Sequence, residues 1–265
     1  MGGWVELECQ FSTGKLKVVA PECSHMETSN PLLKRESAFS RGWEGTEPMT
    51  LQGVINKTGI LLLLCLGSAA FAWTQPVLTG PLFILGLIGG FIACLVGTFR
   101  PTASPIAAPV YAILEGFVLG AISRVVEMRF PGIVVNAMLL TFAVLGFMLM
   151  LYTTRTIRVT DRFVKGVFAA TGAVCLVYFV DLVLNMFGMG VPYIHQSGAI
   201  GIGISLVIVG IAAFNLLVDF AVIENGVSNG SPRFMEWYCG MALLVTLVWL
   251  YLEILRLLSK LRGRN

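Results

Sequence analysis

Seven apolar runs of nearly equal length constrain the fold of this chain more than any other feature. They cover residues 54–73, 77–98, 105–126, 133–153, 164–187, 198–222 and 235–258. A helix that crosses a bilayer needs about 20 predominantly apolar residues, and each run is near that length. Because the hydrocarbon core offers no water to the backbone, only helices or a closed barrel can span it. The runs lack the alternation of barrel strands, so they are predicted to be seven membrane-spanning helices.

The composition agrees with lipid as the solvent of these helices. Of the 265 residues, 56% are hydrophobic and 12% are charged, about half the charged fraction of an ordinary soluble domain. The net charge of +3 comes mostly from basic residues at helix ends, which indicates membrane topology rather than nucleic-acid binding. Six cysteines without a CxxC pair and only two histidines give no metal-binding or disulfide framework, so no cofactor is expected.

The first 53 residues are polar and precede the first apolar run. Met26 opens a segment that looks like a natural start, so residues 1–25 are interpreted either as an artefactual upstream extension or as a cytosolic arm. Residues 27–53 have the Gly, Ser, Asn and Pro content of a poorly ordered lead-in. The expected organisation is a disordered region over residues 1–53 and a seven-helix membrane domain over residues 54–265.

The basic residues beyond residue 25 favour a cytoplasmic N-terminus. Ten of them precede the first run or lie near the 2–3, 4–5 and 6–7 connections, and six lie on the opposite side or in the C-terminal tail. Cytoplasmic segments carry the excess of lysine and arginine, so seven crossings are expected. The basic C-terminal tail argues against seven complete crossings, because it favours a cytoplasmic C-terminus as well. A partly re-entrant last run would leave both termini in the cytoplasm.

Four acidic residues fall beyond the first turn of the predicted helices: Glu115, Asp181, Asp219 and Glu253. A charged side chain at the bilayer centre costs about 2.5–3.5 kcal/mol on insertion scales, and such residues usually face the bundle interior and mark ion or proton pathways. Carboxylate oxygens also suit hard cations such as calcium. Two acids in one dry pocket repel each other, so one of them retains its proton. A pair of these acids therefore predicts a pH-sensitive ion path.

Two of these acids also have a purely structural interpretation. Arg256 lies one turn after Glu253 on the same helical face, and an ion pair between them would account for the buried charge. Asp181 has Asn185 one turn later and fits a hydrogen-bonded interior group. Glu115 has no cation within one turn, which favours a functional or gating role.

Glycines inside the runs predict close helix packing. Gly116 and Gly120 have the small-xxx-small spacing that lets two helices touch. The GAIGIGISL stretch lies within an apolar run and follows no strand, so it is not interpreted as a phosphate-binding loop.

The signatures of known intramembrane catalysts are absent from the sequence. A rhomboid-like protease needs a GxSG serine and a membrane histidine, an intramembrane aspartyl protease needs YD and GxGD motifs, and a retinal protein needs a lysine in mid-helix; no run contains these. The HExxH, P-loop and Rossmann patterns are also missing. We therefore do not expect an enzyme.

Five stretches of the chain resemble the Bax inhibitor-1/YccA-like family, also called the transmembrane Bax-inhibitor-motif family. In order they read MTLQGVINKTGILLLL, APVYAILEGFVLGAIS, YIHQSGAIGIGISL, FNLLVDF and LVWLYLEILRLL. The resemblance extends from about residue 50 to the C-terminus and is closest to a bacterial branch. It implies seven helices in a bacterial inner membrane, with the last helix central and the other six around it.

The resemblance also implies a function. Bacterial relatives are pH-sensitive calcium leaks, in which one acid of the sixth helix and one of the seventh form a proton-sensitive latch. The matching residues here are Asp219 in LLVDF and Glu253 in LYLEIL, where an aspartate is usual. Other YccA-like relatives suggest the alternative of a non-conducting regulatory scaffold for membrane proteins such as a membrane protease. A proton-coupled transporter is a weaker option.

The chain departs from those relatives at two points. An acid of their second helix is replaced here by Gly86, and Glu115 on the third helix is expected to compensate or to define a different path. In addition, Asp219 is near the end of its run whereas Glu253 lies far into the next, so the two are expected at different depths. The site candidates are thus Asp219, Glu253 and Glu115, with Asp181, Arg256 and Arg100 as secondary candidates.

Overall fold

The computed structural model describes residues 47–187 and 198–263, and the described residues form seven long helices. These are α1 (Leu51–Thr74), α2 (Thr79–Phe99), α3 (Ser104–Arg129), α4 (Ile133–Thr153), α5 (Asp161–Met186), α6 (Ala199–Ser228) and α7 (Met235–Arg262). Short 3₁₀ turns at Pro76–Leu78 and Pro101–Ala103 join the first three helices. All seven helices are long and apolar enough to cross a membrane, which confirms the predicted all-helical class. The interpretation of residues 1–25 lies outside the described residues.

The helix boundaries follow from local capping chemistry. The Thr50 hydroxyl accepts a hydrogen bond from the backbone N–H of Gly53 and caps α1, and Thr160 caps α5 in the same way. These contacts satisfy N–H groups that the first turn of a helix leaves unpaired. Between α3 and α4 the chain turns at Gly132, whose φ of 82° is the left-handed conformation that glycine adopts without strain.

The C-terminal helix α7 is the central and most buried helix of the bundle. It packs against α1, α3, α4 and α6, while α2 packs mainly on α3 and α5 mainly on α6. Leu244, Leu250 and Ile254 of α7 are almost completely buried. In a bilayer such contacts stabilise by close packing and not by escape from water, because lipid tails are as apolar as leucine. The predicted central position of the last helix is confirmed.

The closest helix contact joins α1 and α3. A β-carbon at Gly116 would overlap the carbonyl oxygen of Cys65, and one at Gly120 would overlap that of Ala69. The backbones therefore touch, as the small-xxx-small spacing predicts. Gly86 of α2 has a related role, because a β-carbon there would lie 2.5 Å from the carbonyl oxygen of Leu114 on α3.

The first turn of α7 is anchored to the segment before α1. The N–H of Met49 donates to the carbonyl of Ser231 over 2.7 Å. The buried carboxylate of Glu236 accepts hydrogen bonds from the N–H of Thr50 over 2.8 Å and from its hydroxyl over 3.1 Å, and it forms an ion pair with Lys57. Residues 47–50 and the first turns of α1 thus fix the N-terminal end of the central helix.

Candidate functional site

One face of α7 carries a row of polar side chains through the bundle. It consists of Thr246, Trp249, Glu253, Arg256 and Lys260, which we call the polar face of α7. Intervals of three and four residues place all five on the same side of the helix. Their partners outside α7 belong to α5 and α6, so these three helices share a polar seam.

Glu253 lies at the centre of this face and is 1% exposed. Its carboxylate accepts hydrogen bonds from the hydroxyl of Tyr178 on α5 over 2.8 Å and from Nε1 of Trp249 over 3.2 Å. Arg256 Nη1 lies 3.1 Å from both carboxylate oxygens, and its guanidinium also bonds to the Tyr178 hydroxyl and stacks on that ring at 4.8 Å. The structural alternative considered for Glu253, an ion pair with Arg256, is therefore present, and it neutralises the Glu253 charge.

Asp219 enters the same seam from α6 and has far fewer partners. Its side chain faces the hydroxyl of Thr246, and the thiol of Cys239 is nearby. Its Oδ2 atom is buried and accepts no hydrogen bond from any described residue. A buried carboxylate oxygen without a partner carries a desolvation penalty of about 1–3 kcal/mol, and more when charged. Asp219 is therefore a carboxylate with free ligand capacity.

The two acids of the implied latch lie at different depths in the bundle. Asp219 faces Thr246, and Glu253 is seven residues further along α7, about 10 Å at 1.5 Å per residue. Helix α6 continues to Ser228, six residues past the predicted end, but Glu253 bonds to α5 and to its own helix. A direct contact between the two carboxyls stays a prediction. The geometry shows one polar face of α7 that carries Glu253 and that Asp219 of α6 approaches at Thr246.

Lys260 ends the polar face with a buried positive charge. It is 7% exposed, and its Nζ donates to the hydroxyl of Ser205 over 2.7 Å and to the carbonyl of Gly201 over 3.2 Å, both on α6. Both acceptors are neutral, so the charge is solvated by the protein without being cancelled. Together with Arg256, Lys260 makes this end of the seam positive.

Glu115 occupies a separate place, between α3 and its neighbours α1 and α2. Its carboxylate lies close to Gly90 of α2, where a β-carbon would be 3.5 Å from Oε2, and Cys65 and Tyr111 are nearby. Within the part of the chain that the structure describes, no hydrogen bond or ion pair joins it to Asp219 or Glu253, which lie in the seam with α5 and α6. At Gly86, where calcium-leak relatives were expected to carry an acid, the backbone of α3 leaves no space for a side chain.

Of the secondary candidates, Asp181 lies near the seam and Arg100 lies away from it. Asp181 is buried in α5 one turn beyond Tyr178, and Asn185 donates to its backbone carbonyl over 2.9 Å. Asp181 thus shares the side of α5 that carries Tyr178. Arg100 is exposed at the junction of α2 with the following 3₁₀ turn, far along the chain from any member of the seam.

Sequence reasoning missed Tyr178, Trp249 and the pair of Lys260 with Ser205. The repeat of polar residues at intervals of three and four from Thr246 onward was a readable signal, since such spacing marks one helical face. The partners on α5 and α6 left no comparable signal, because each has apolar residues on both sides of it in the sequence. Within residues 47–187 and 198–263, no group of three or more His, Cys, Asp or Glu side chains is placed to hold a metal ion.

Seven membrane-length helices around a central helix with one polar face define a polytopic integral membrane protein. The family described as Bax inhibitor 1 like matches residues 30–263, and the chain belongs to this family. The family resemblance predicted from the five sequence stretches is thereby confirmed. Among curated proteins and among solved structures, no significant match is found.

Proposed function

We propose that this protein conducts cations passively across its membrane, with calcium as the permeant ion, and that the polar face of α7 controls their passage. The observation that carries this proposal is the Oδ2 atom of Asp219, which is buried in the seam without a hydrogen-bond donor. Hard cations prefer carboxylate oxygens, and acids inside a membrane mark ion paths. Asp219 is the group that a cation in the seam would contact.

The other half of the polar face supplies the barrier. Arg256 and Lys260 place two positive charges on the seam, and Glu253 compensates one of them. A cation that passes Asp219 meets this net positive charge, which repels it strongly in a low-dielectric interior. Protonation of Glu253 would remove the charge that holds Arg256, so the position of Arg256 would depend on pH. In this form the latch acts through Arg256 and Tyr178, with the two acids at two depths.

For the cellular setting, we place the protein in a bacterial inner membrane with the N-terminal end of α7 facing the cytoplasm. At that end lie seven described basic residues: Lys57, Arg100, Arg155, Arg158, Arg162, Lys165 and Arg233. At the other end lie five: Arg124, Arg129, Arg256, Lys260 and Arg262. The excess supports this orientation by the positive-inside rule, and the sequence resemblance supports the bacterial setting.

Calcium flux into proteoliposomes tests the proposal. We expect Asp219→Asn to reduce flux several-fold at every pH, and Glu253→Gln to conduct without the pH dependence of the wild type. Asp161→Asn is the matched control, because Asp161 is an exposed acid at the start of α5. Equal flux for all four proteins across pH would contradict the proposal. Absence of flux together with a stoichiometric membrane-protein partner after purification from native membrane would favour the scaffold alternative.

A further inference from the structure

An apolar cavity of about 430 Å³ lies on the side of α7 opposite the polar face. Its floor is formed by buried residues of α3 and α7, among them Gly120, Leu244 and Leu247. Its rim is formed by exposed residues of α1 and α4, such as Ala70 and Val135. Because α1 and α4 scarcely touch each other, the cavity opens sideways between them, toward the surrounding lipid.

Most of the polar groups that line the cavity already have partners. The hydroxyls of Ser123 and Tyr251 are bonded to each other over 2.7 Å, and the Thr141 hydroxyl donates to its own helix over 2.8 Å. The carboxylate of Glu127 accepts from backbone N–H groups at the start of α4. A ligand with internal hydrogen-bonding groups would leave them unsatisfied here, at a cost of about 1–3 kcal/mol each. The cavity therefore suits a plain hydrocarbon chain.

The extent of the cavity along α1 and the end of the bundle that it reaches match one leaflet of the bilayer. Its wall on α1 extends from Leu62 to Thr74, a rise of about 18 Å along the helix. The hydrocarbon core of a bilayer is about 30 Å thick, so the cavity extends over slightly more than half of that thickness. At the Thr74 end the cavity reaches the termini of α1 and α3, where the exposed Arg129 lies. A chain that fills the cavity would thus have its headgroup at the membrane surface.

We propose that this cavity binds one acyl chain of a membrane phospholipid, taken from the leaflet at the C-terminal end of α7. The chain would enter between α1 and α4 and pack against Leu244 and Val248 of the central helix. The headgroup would remain outside, beside Arg129. This inference does not depend on ion conduction, since the cavity and the polar face lie on different sides of α7.

Photocrosslinking in vesicles of phosphatidylethanolamine and phosphatidylglycerol tests the proposal. The probe is a trace of phosphatidylglycerol or phosphatidylethanolamine that carries a diazirine near the end of one acyl chain, and mass spectrometry of peptides locates the adducts. We expect adducts on the cavity floor, at α3 and around Leu244 and Val248, in the wild type. Ala70→Trp, which fills the cavity from α1, should reduce these adducts several-fold.

Leu63→Trp is the matched control, because Leu63 is 71% exposed on α1 and does not line the cavity. It should leave the floor adducts unchanged. Leu66→Trp fills the cavity from another position and replaces Ala70→Trp if that variant does not purify as a monodisperse protein. Floor adducts that persist in the filled variants would overturn the proposal. So would adducts found only with a diazirine-labelled free fatty acid, because the occupant would then not be a phospholipid.

Discussion

The two sides of α7 hold the same helix by different means. Toward α1, α3 and α4 the contacts beyond the first turn of α7 are mainly apolar, and in this region α1 and α3 approach until Gly120 touches the carbonyl of Ala69. Toward α5 and α6, apolar packing such as that of Leu216 is joined by hydrogen bonds to the polar face of α7, and these centre on Tyr178 and the Glu253–Arg256 ion pair within α7. Helix α5, which supplies Tyr178, otherwise packs mainly on α6.

This difference indicates which contacts of α7 are fixed and which can change with protonation. Backbone contact through glycines does not respond to pH and leaves little freedom for the helices to shift, since packed interiors are dense and transmit strain. The polar side depends on the charges of a few side chains, and a change of protonation alters them directly. We therefore expect substitutions on the apolar side to affect folding, and substitutions on the polar side to affect conduction as well.

The largest effect is expected from Gly120→Leu on the apolar side. Any side chain at this position overlaps the backbone of α1, which cannot move away as a flexible side chain can. Overpacking typically costs 1–3 kcal/mol and occasionally more, and we expect about 3 kcal/mol or a complete loss of folded protein. Thermal unfolding in mild detergent measures it. Gly67→Leu is the control, because a β-carbon at Gly67 meets nothing within 4 Å; equal losses in the two variants would contradict the contact.

The second-largest loss of stability is expected on the polar side, and it should differ between the two partners of the ion pair. Arg256→Met leaves the buried Glu253 carboxylate without its cation, and we expect a loss of about 1–3 kcal/mol. Glu253→Gln should cost less, because the Arg256 side chain is 41% exposed and reaches water on its own. Thermal unfolding of both single variants and of the double variant gives the coupling energy. Equal losses of stability in the two single variants would contradict the predicted asymmetry.

The sequence was sufficient to predict the helices but only part of the site. Membrane thickness fixes the length of a spanning helix, so the run over residues 133–153 coincides with α4 at both ends. The ion pair of Glu253 with Arg256 was predictable because both lie on one helix at a fixed spacing. Tyr178 was not, since its contact with Glu253 depends on how α5 is placed against α7. The C-terminal residues of α6 were missed because most of them are polar or glycine.

A smaller loss of stability is expected when one tyrosine hydroxyl is removed on either side of α7. Tyr251→Phe removes the hydroxyl that bonds to Ser123 on the apolar side, and Tyr178→Phe removes the one that bonds to Glu253 and Arg256. Each should cost about 1 kcal/mol, the usual net value of one hydrogen bond. Only Tyr178→Phe should also change the calcium flux and its pH dependence in proteoliposomes. A flux change of the same size in Tyr251→Phe would remove the functional distinction between the two sides.

The smallest change in stability is expected from Lys260→Met, although its effect on conduction should be clear. The substitution removes a buried charge that has no acidic partner among the described residues, which favours the folded state. The Ser205 hydroxyl does not become an orphan, because it can donate to the carbonyl of Gly201 one turn before it on α6. We therefore expect a stability change below about 1 kcal/mol.

Conduction should respond because Lys260→Met removes one of the two positive charges that form the proposed barrier. Calcium flux into proteoliposomes should rise several-fold relative to the wild type. Lys165→Met is the matched control, since Lys165 is exposed near the start of α5 and lies outside the seam. If Lys260→Met leaves flux unchanged while Arg256→Met raises it, Lys260 only joins α7 to α6, and the barrier consists of Arg256 alone.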